Sequence, residues 1–132
     1  MDTNVLLYMF DLADEDKRHR ALRVVRELGS RVIVSTQVLQ EFFWVATKKL
    51  GMHPPMVREI VHELCDGEVV PSTPSLVGDA IDLSIVTGFT LWDSLIIQAA
   101  IVARCESVFT EDLSDGRVVK GVRIVNPFVS GR

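Results

Sequence analysis

Residues 92–104 constrain this chain most. From Trp92 to Arg104 the side chains are apolar nearly all round (Leu95, Ile96, Ile97, Ala99, Ala100, Ile101, Val102, Ala103). A helix with that pattern has no broad face for water and is buried at the centre of a fold. The rest of the chain therefore has to supply layers around it.

Those layers alternate. Residues 4–10 read as a short apolar helical turn and 11–16 as a polar connection. Over 15–28, Ala21, Leu22, Val25 and Leu28 share one helical face with Arg20, Arg23 and Arg26 opposite, and Gly29-Ser30 ends the helix. Residues 31–34 form a short β-branched strand. Ser35 or Thr36 caps a helix reaching residue 50, with Lys48 and Lys49 in its last turn and Gly51 after it. Pro54-Pro55 restarts the chain into a helix over 56–65, ended near Asp66-Gly67, and 68–70 is a brief strand. A helix starts at Thr73-Pro74-Ser75 and stops at Gly88. Short strands at 107–109 and 122–125 follow, the last ended by Asn126-Pro127. Short strands alternating with helices imply an α/β sandwich on a mainly parallel sheet, with the ligand site beyond the carboxyl ends of its strands.

The length of 132 residues suits one domain over 1–132, and 48% hydrophobic with 24% charged residues is a globular balance. No apolar run reaches the length of a membrane span, and no basic-then-apolar leader opens the chain. Cys65 and Cys105 lie in apolar helical segments and read as buried free thiols of a cytoplasmic protein. A net charge of −4 argues against a protein that simply coats nucleic acid. Six of the 14 basic residues nevertheless fall between Lys17 and Arg31. That stretch reads first as a solvated helix face, and second as a local phosphate-binding face. His19, His53 and His62 lack ligand spacing and belong on the surface, as do Asp79 and Asp82.

Four carboxylates stand apart from the other charges. Asp2 opens Asp2-Thr3-Asn4 before an apolar run, Glu41 sits among Val38, Phe42 and Trp44, Asp93 heads Trp92-Asp93-Ser94-Leu95, and Asp112 follows Phe109-Thr110-Glu111. Isolated charges among large apolar side chains are costly unless paired, protonated or bound to a cation. If the four converge, they raise one another's pKa, and a divalent cation is their natural partner. Each also has a plain alternative: Asp2 and Asp93 as helix N-caps, Glu41 in a structural ion pair, Asp112 in an ordinary turn. Asp115 reads as a turn residue.

Asp2-Thr3-Asn4-Val5-Leu6-Leu7-Tyr8, Gln37-Val38-Leu39 with Glu41-Phe42, Trp92-Asp93-Ser94-Leu95-Ile96 and Thr110-Glu111-Asp112-Leu113 together resemble the PIN domain. The closing Val125-Asn126-Pro127-Phe128 is similar to its toxin branch, the VapC-like ribonucleases. The resemblance implies a three-layer α/β/α sandwich with a short-stranded sheet and a Mg²⁺- or Mn²⁺-dependent endoribonuclease acting on structured RNA. It implies Asp2, Asp93 and Asp112 as metal ligands, with Glu41 positioning the attacking water or completing a second metal site. Thr3, Asn4, Ser94 and Thr110 match supporting polar positions. A small antitoxin and a homodimeric state are the implied partners. The family's first strand precedes its first Asp, whereas only Met1 precedes Asp2 here. The expectation is thus a first strand truncated or absent, and an Asp2 that is poorly fixed. Two rival readings follow: a catalytically weakened PIN-like module that binds RNA or protein, and a haloacid-dehalogenase phosphatase. The latter requires a second Asp where Asn4 stands.

Overall fold

The computed structural model describes residues 1–129. In chain order the elements are α1 (Thr3–Tyr8), α2 (Glu15–Leu28), a 3₁₀ turn (Gly29–Arg31), β1 (Ile33–Ser35), α3 (Thr36–Lys48), α4 (Pro54–Cys65), β2 (Glu68–Val70), α5 (Pro74–Thr87), α6 (Leu91–Val102), β3 (Ser107–Phe109), β4 (Val118–Val119) and β5 (Val122–Val125). Among the described residues no single helix is long and apolar enough to cross a membrane.

Local chemistry sets most helix starts. The side chains of Asp14, Ser35, Thr73 and Thr90 accept hydrogen bonds from the backbone N–H groups of Lys17, Val38, Leu76 and Asp93, satisfying donors that a helix leaves free in its first turn. Pro54 and Pro74 open α4 and α5, where a missing N–H is harmless. Gly88 ends α5 in the left-handed conformation (φ 78°), which a side chain would strain. Residues 94–100 of α6 are buried without interruption, as an all-round apolar helix requires.

The strands form two small sheets. β1 pairs in parallel with β2, β3 pairs in parallel with β5, and β5 pairs antiparallel with β4. The strands are therefore divided between two sheets, and Met1-Asp2 lies at the division. The Met1 ammonium donates to the Ile33 carbonyl at 3.1 Å, and the Asp2 N–H donates to the Phe109 carbonyl at 2.9 Å. Successive residues thus reach opposite neighbours, as a strand between β1 and β3 would, but only over this length. Beside them runs a groove of about 350 Å³ lined by Val32, Val34, Ala99, Ala100 and Ser107, among others.

Three apolar clusters hold the layers together. Leu6, Val38, Phe42, Ala46 and Val57 join α1, α3 and α4. Ile97, Val108, Val122 and Ile124 pack α6 on the three-stranded sheet, and Leu76, Ala80, Leu95 and Ala99 pack α5 on α6. The result is an α/β sandwich.

Some sequence expectations fail. Cys65 is exposed at the end of α4 and Cys105 is half-buried, so neither is a core thiol. The apolar neighbours of Cys65 in sequence face the core from other sides of the helix. The two-residue β4 was too short to leave a pattern. Asp2, expected to be loosely held, is only 4% exposed.

Ile97 has no exposed surface, whereas Ile85 is 76% exposed. Ile97→Ala should lower unfolding free energy by about 2–4 kcal/mol, and Ile85→Ala should change it by no more than about 0.5 kcal/mol. Urea denaturation followed by circular dichroism checks both.

Candidate active site

Asp2 precedes α1 in the N-cap position, but its side chain does not cap the helix. It turns instead to the end of β3, where the Thr110 hydroxyl donates to its Oδ2 at 2.8 Å. The same hydroxyl accepts the Asp112 N–H at 3.2 Å, and the Thr110 N–H is bonded to the Val125 carbonyl. One threonine thus ties the first residues of the chain, the end of β3, the end of β5 and the Asp112 turn. Burial pushes the Asp2 carboxyl up from its ordinary 3.8 to about 6. The Thr110 hydrogen bond opposes that rise, and the adjacent Asp112 carboxylate adds to it.

Asp93 lies in the first turn of α6, its backbone N–H bonded to Thr90. A carboxylate there also suits the positive end of the helix, so the capping alternative accounts for part of its setting. Its pKa is raised, first by burial and then by Asp112, while contact with Thr90 opposes the shift. Asp112 is exposed and is the charge that Asp2 and Asp93 both feel.

Glu41 is half-buried on α3 and linked to the others through α1. The Thr3 hydroxyl donates to its Oε2 at 3.1 Å, and Gln37 Nε2 donates to its Oε1 at 2.6 Å. No ion pair with Glu41 is present among the described residues; Thr3 and Gln37 hold it instead. Gln37 was not singled out from the sequence as a supporting residue. Its signal was available: it stands one helical turn before Glu41, where side chains meet. Ser94 is fully buried and its hydroxyl has no hydrogen-bond partner among the described residues, and Asn4 is half-buried in the first turn of α1. The structure therefore joins Asp2, Thr110 and Asp112 directly, sets Asp93 within electrostatic reach of Asp112, and attaches Glu41 through Thr3. Asp115 caps the segment after β5, accepting the Asn126 N–H at 2.9 Å.

Among the described residues no three His, Cys, Asp or Glu side chains close on one point tightly enough to hold an ion by themselves. The donor set still fits a hard divalent cation. Its donors are carboxylate and hydroxyl oxygens, and two of its carboxyls are shifted up by burial and like charge. Mg²⁺ takes one or two carboxylates directly and fills its shell with water, so a three-residue cage is not required.

The profile of the PIN domain family matches residues 1–118. The chain belongs to the PIN domain family. PIN domains are generally nucleases and typically use divalent metal ions. A solved toxin-antitoxin complex from Klebsiella pneumoniae has a similar fold: its matching chain is 21% identical, with a TM-score of 0.72 over 96% of this chain and 94% of that one. No curated protein shows significant similarity to this PIN domain.

The raised Asp2 pKa gives a signed expectation. Protonation relieves a buried charge, so this group's stability contribution is complete below pH 3.8 and is lost as the pH rises through about 6. Without divalent cations, Asp2→Asn should therefore be more stable than wild type near neutral pH, by roughly 2 kcal/mol or a few degrees in Tm. The difference should close in acid. Thermal melts in EDTA across that pH range test it.

Proposed function

We propose that this PIN domain, a single domain spanning 1–132, is a Mg²⁺- or Mn²⁺-dependent endoribonuclease and the toxin of a toxin-antitoxin pair. The observation that carries the reading is the buried Asp2 facing Asp112, with Asp93 close enough to feel the same charge. Two carboxyls held above their ordinary pKa beside a third describe a site that lacks positive charge. A bound divalent cation would supply that charge, stabilise the anionic transition state at phosphorus and ease deprotonation of water.

In this reading Asp2, Asp93 and Asp112 would hold the cation together with waters that complete its shell. Thr110 fixes the Asp2 rotamer, and Ser94, whose buried hydroxyl is otherwise unpartnered, holds a water or carboxylate. Asn4, half-buried in the first turn of α1, is the remaining proposed supporting residue. Glu41 keeps unused lone pairs on both oxygens after accepting from Thr3 and Gln37. It orients the attacking water for in-line displacement at a phosphodiester. Structured RNA is the proposed substrate, and a homodimer in the cytoplasm the proposed state. A small antitoxin is the proposed partner, on the precedent of the toxin-antitoxin complex with the similar fold. Exposed apolar side chains on α3, α5 and α6 (Trp44, Ile85, Val86, Trp92) offer surface for protein partners.

The purified protein should cut total RNA into discrete fragments with Mn²⁺ and not with EDTA. Asp93→Asn should keep the fold by circular dichroism while losing at least about a hundredfold in rate. Unchanged turnover in that variant would exclude the mechanism. RNA binding without cleavage in wild type would favour a binding module.

A further inference from the structure

Residues 110–112 carry Thr110, which holds Asp2, and Asp112, which is exposed. The residue between them is secured elsewhere. The Tyr8 hydroxyl donates to Glu111 Oε1 at 2.7 Å, and Lys17 Nζ donates to Glu111 Oε2 at 2.8 Å. Lys17 also donates to the Tyr8 oxygen at 3.1 Å, and its charge sits 4.6 Å from the centroid of the Tyr8 ring and 5.4 Å from that of Phe128. The two rings meet edge to face at 5.0 Å. The Lys17 and Glu111 side chains are only 31% and 19% exposed. Tyr8 of α1 and Lys17 of α2 therefore close on one carboxylate in the turn after β3, and Phe128, after β5, packs against both of them.

We propose that Lys17 and Tyr8 are positioning residues for the acidic cleft: by gripping both oxygens of Glu111 they fix the 110–112 turn and so set Asp112 against Asp2 and Asp93. Asp112 has no enclosure of its own. Its backbone N–H is bonded to Thr110 on one side, and its neighbour Glu111 is clamped on the other. A turn held at two consecutive residues has little freedom left for the third. The competing role for Lys17, as a phosphate contact on the basic face of α2, fits less well. Its ammonium is already engaged by a carboxylate, a phenol oxygen and two rings, and the Glu111 and Tyr8 contacts raise its pKa against the opposing effect of burial.

The activity arm of the test rests on the nuclease reading above, whereas the structural arm does not. Lys17→Met, Glu111→Gln and the double variant are compared with wild type, without RNA, by amide hydrogen exchange. In each, the Asp112 N–H should exchange about tenfold faster, with the double variant no worse than the singles, while α6 amides keep their protection. With RNA and Mn²⁺, kcat should fall about tenfold in all three with KM unchanged, since only the geometry of the reacting groups is disturbed. If Lys17→Met does not fold, Tyr8→Phe removes the hydroxyl alone and carries the same expectations. Unchanged Asp112 exchange would overturn the clamp. So would a raised KM confined to Lys17→Met with Glu111→Gln behaving as wild type, which would make Lys17 a phosphate contact. If wild type does not cut RNA, the nuclease reading fails and the exchange data still decide the clamp.

Discussion

Thr110 donates its hydroxyl to Asp2 across 108 residues of chain, at 2.8 Å, with both residues almost wholly buried. That hydroxyl also accepts the Asp112 N–H, so its single proton is committed to Asp2 and its orientation is determined. The backbone around it is equally committed: the Thr110 N–H pairs with Val125, and the Asp2 N–H pairs with Phe109. The ends of β3 and β5, the entry to α1 and the turn bearing Asp112 therefore share one anchor. Replacing the hydroxyl by hydrogen would leave a buried carboxyl short of a donor, which is a larger penalty than one lost surface hydrogen bond. The division of the strands into two sheets makes this anchor more important, because Met1 and Asp2 are the only backbone bridge described between β1 and β3.

The cleft works against the fold that carries it. Asp2 beside Asp112, with Asp93 in range, concentrates negative charge where burial weakens solvation, and both shifted carboxyls record the strain. The apolar clusters have to offset it. α6 contributes most directly, since its 94–100 segment is buried throughout while its first turn presents Asp93 to the cleft. The same helix thus supplies hydrophobic stability and a destabilising charge, the kind of stability cost that functional sites carry.

Much of the scaffold was legible because local rules decide it. The caps at Ser35, Thr73 and Thr90, the proline starts, the Gly88 stop and the apolar α6 are all visible in neighbouring residues. What sequence could not show was held by distant partners. Asp2 looked weakly placed because its support comes from Phe109 and Thr110, on the other side of the chain. Lys17 looked like one charge among six on a solvated face, yet it turns inward to Glu111 and two aromatic rings. Cys65 looked buried because a helix interleaves inward and outward positions, and its apolar neighbours in sequence point elsewhere. The ordered motifs were enough to identify the PIN family, whose profile covers 1–118.

The four carboxylates differ in how they are held, and the differences follow exposure. Asp2 is fixed by burial and one threonine. Glu41 is fixed on a helix, between Gln37 one turn before it and Thr3 across the interface with α1. Asp93 is fixed by the rigid first turn of α6. Asp112 is exposed, lies outside any helix or strand, and would be the most mobile of the four if left to its own contacts. Yet its turn carries the densest support, with Thr110 engaged on one side and Glu111 held by Lys17 and Tyr8 on the other. A functional carboxylate on a loop would need its neighbours immobilised because it has no secondary structure to do so. The aromatic and ionic cluster around Glu111 lies where that need is greatest, and the least protected carboxylate gains a defined position without losing access to solvent.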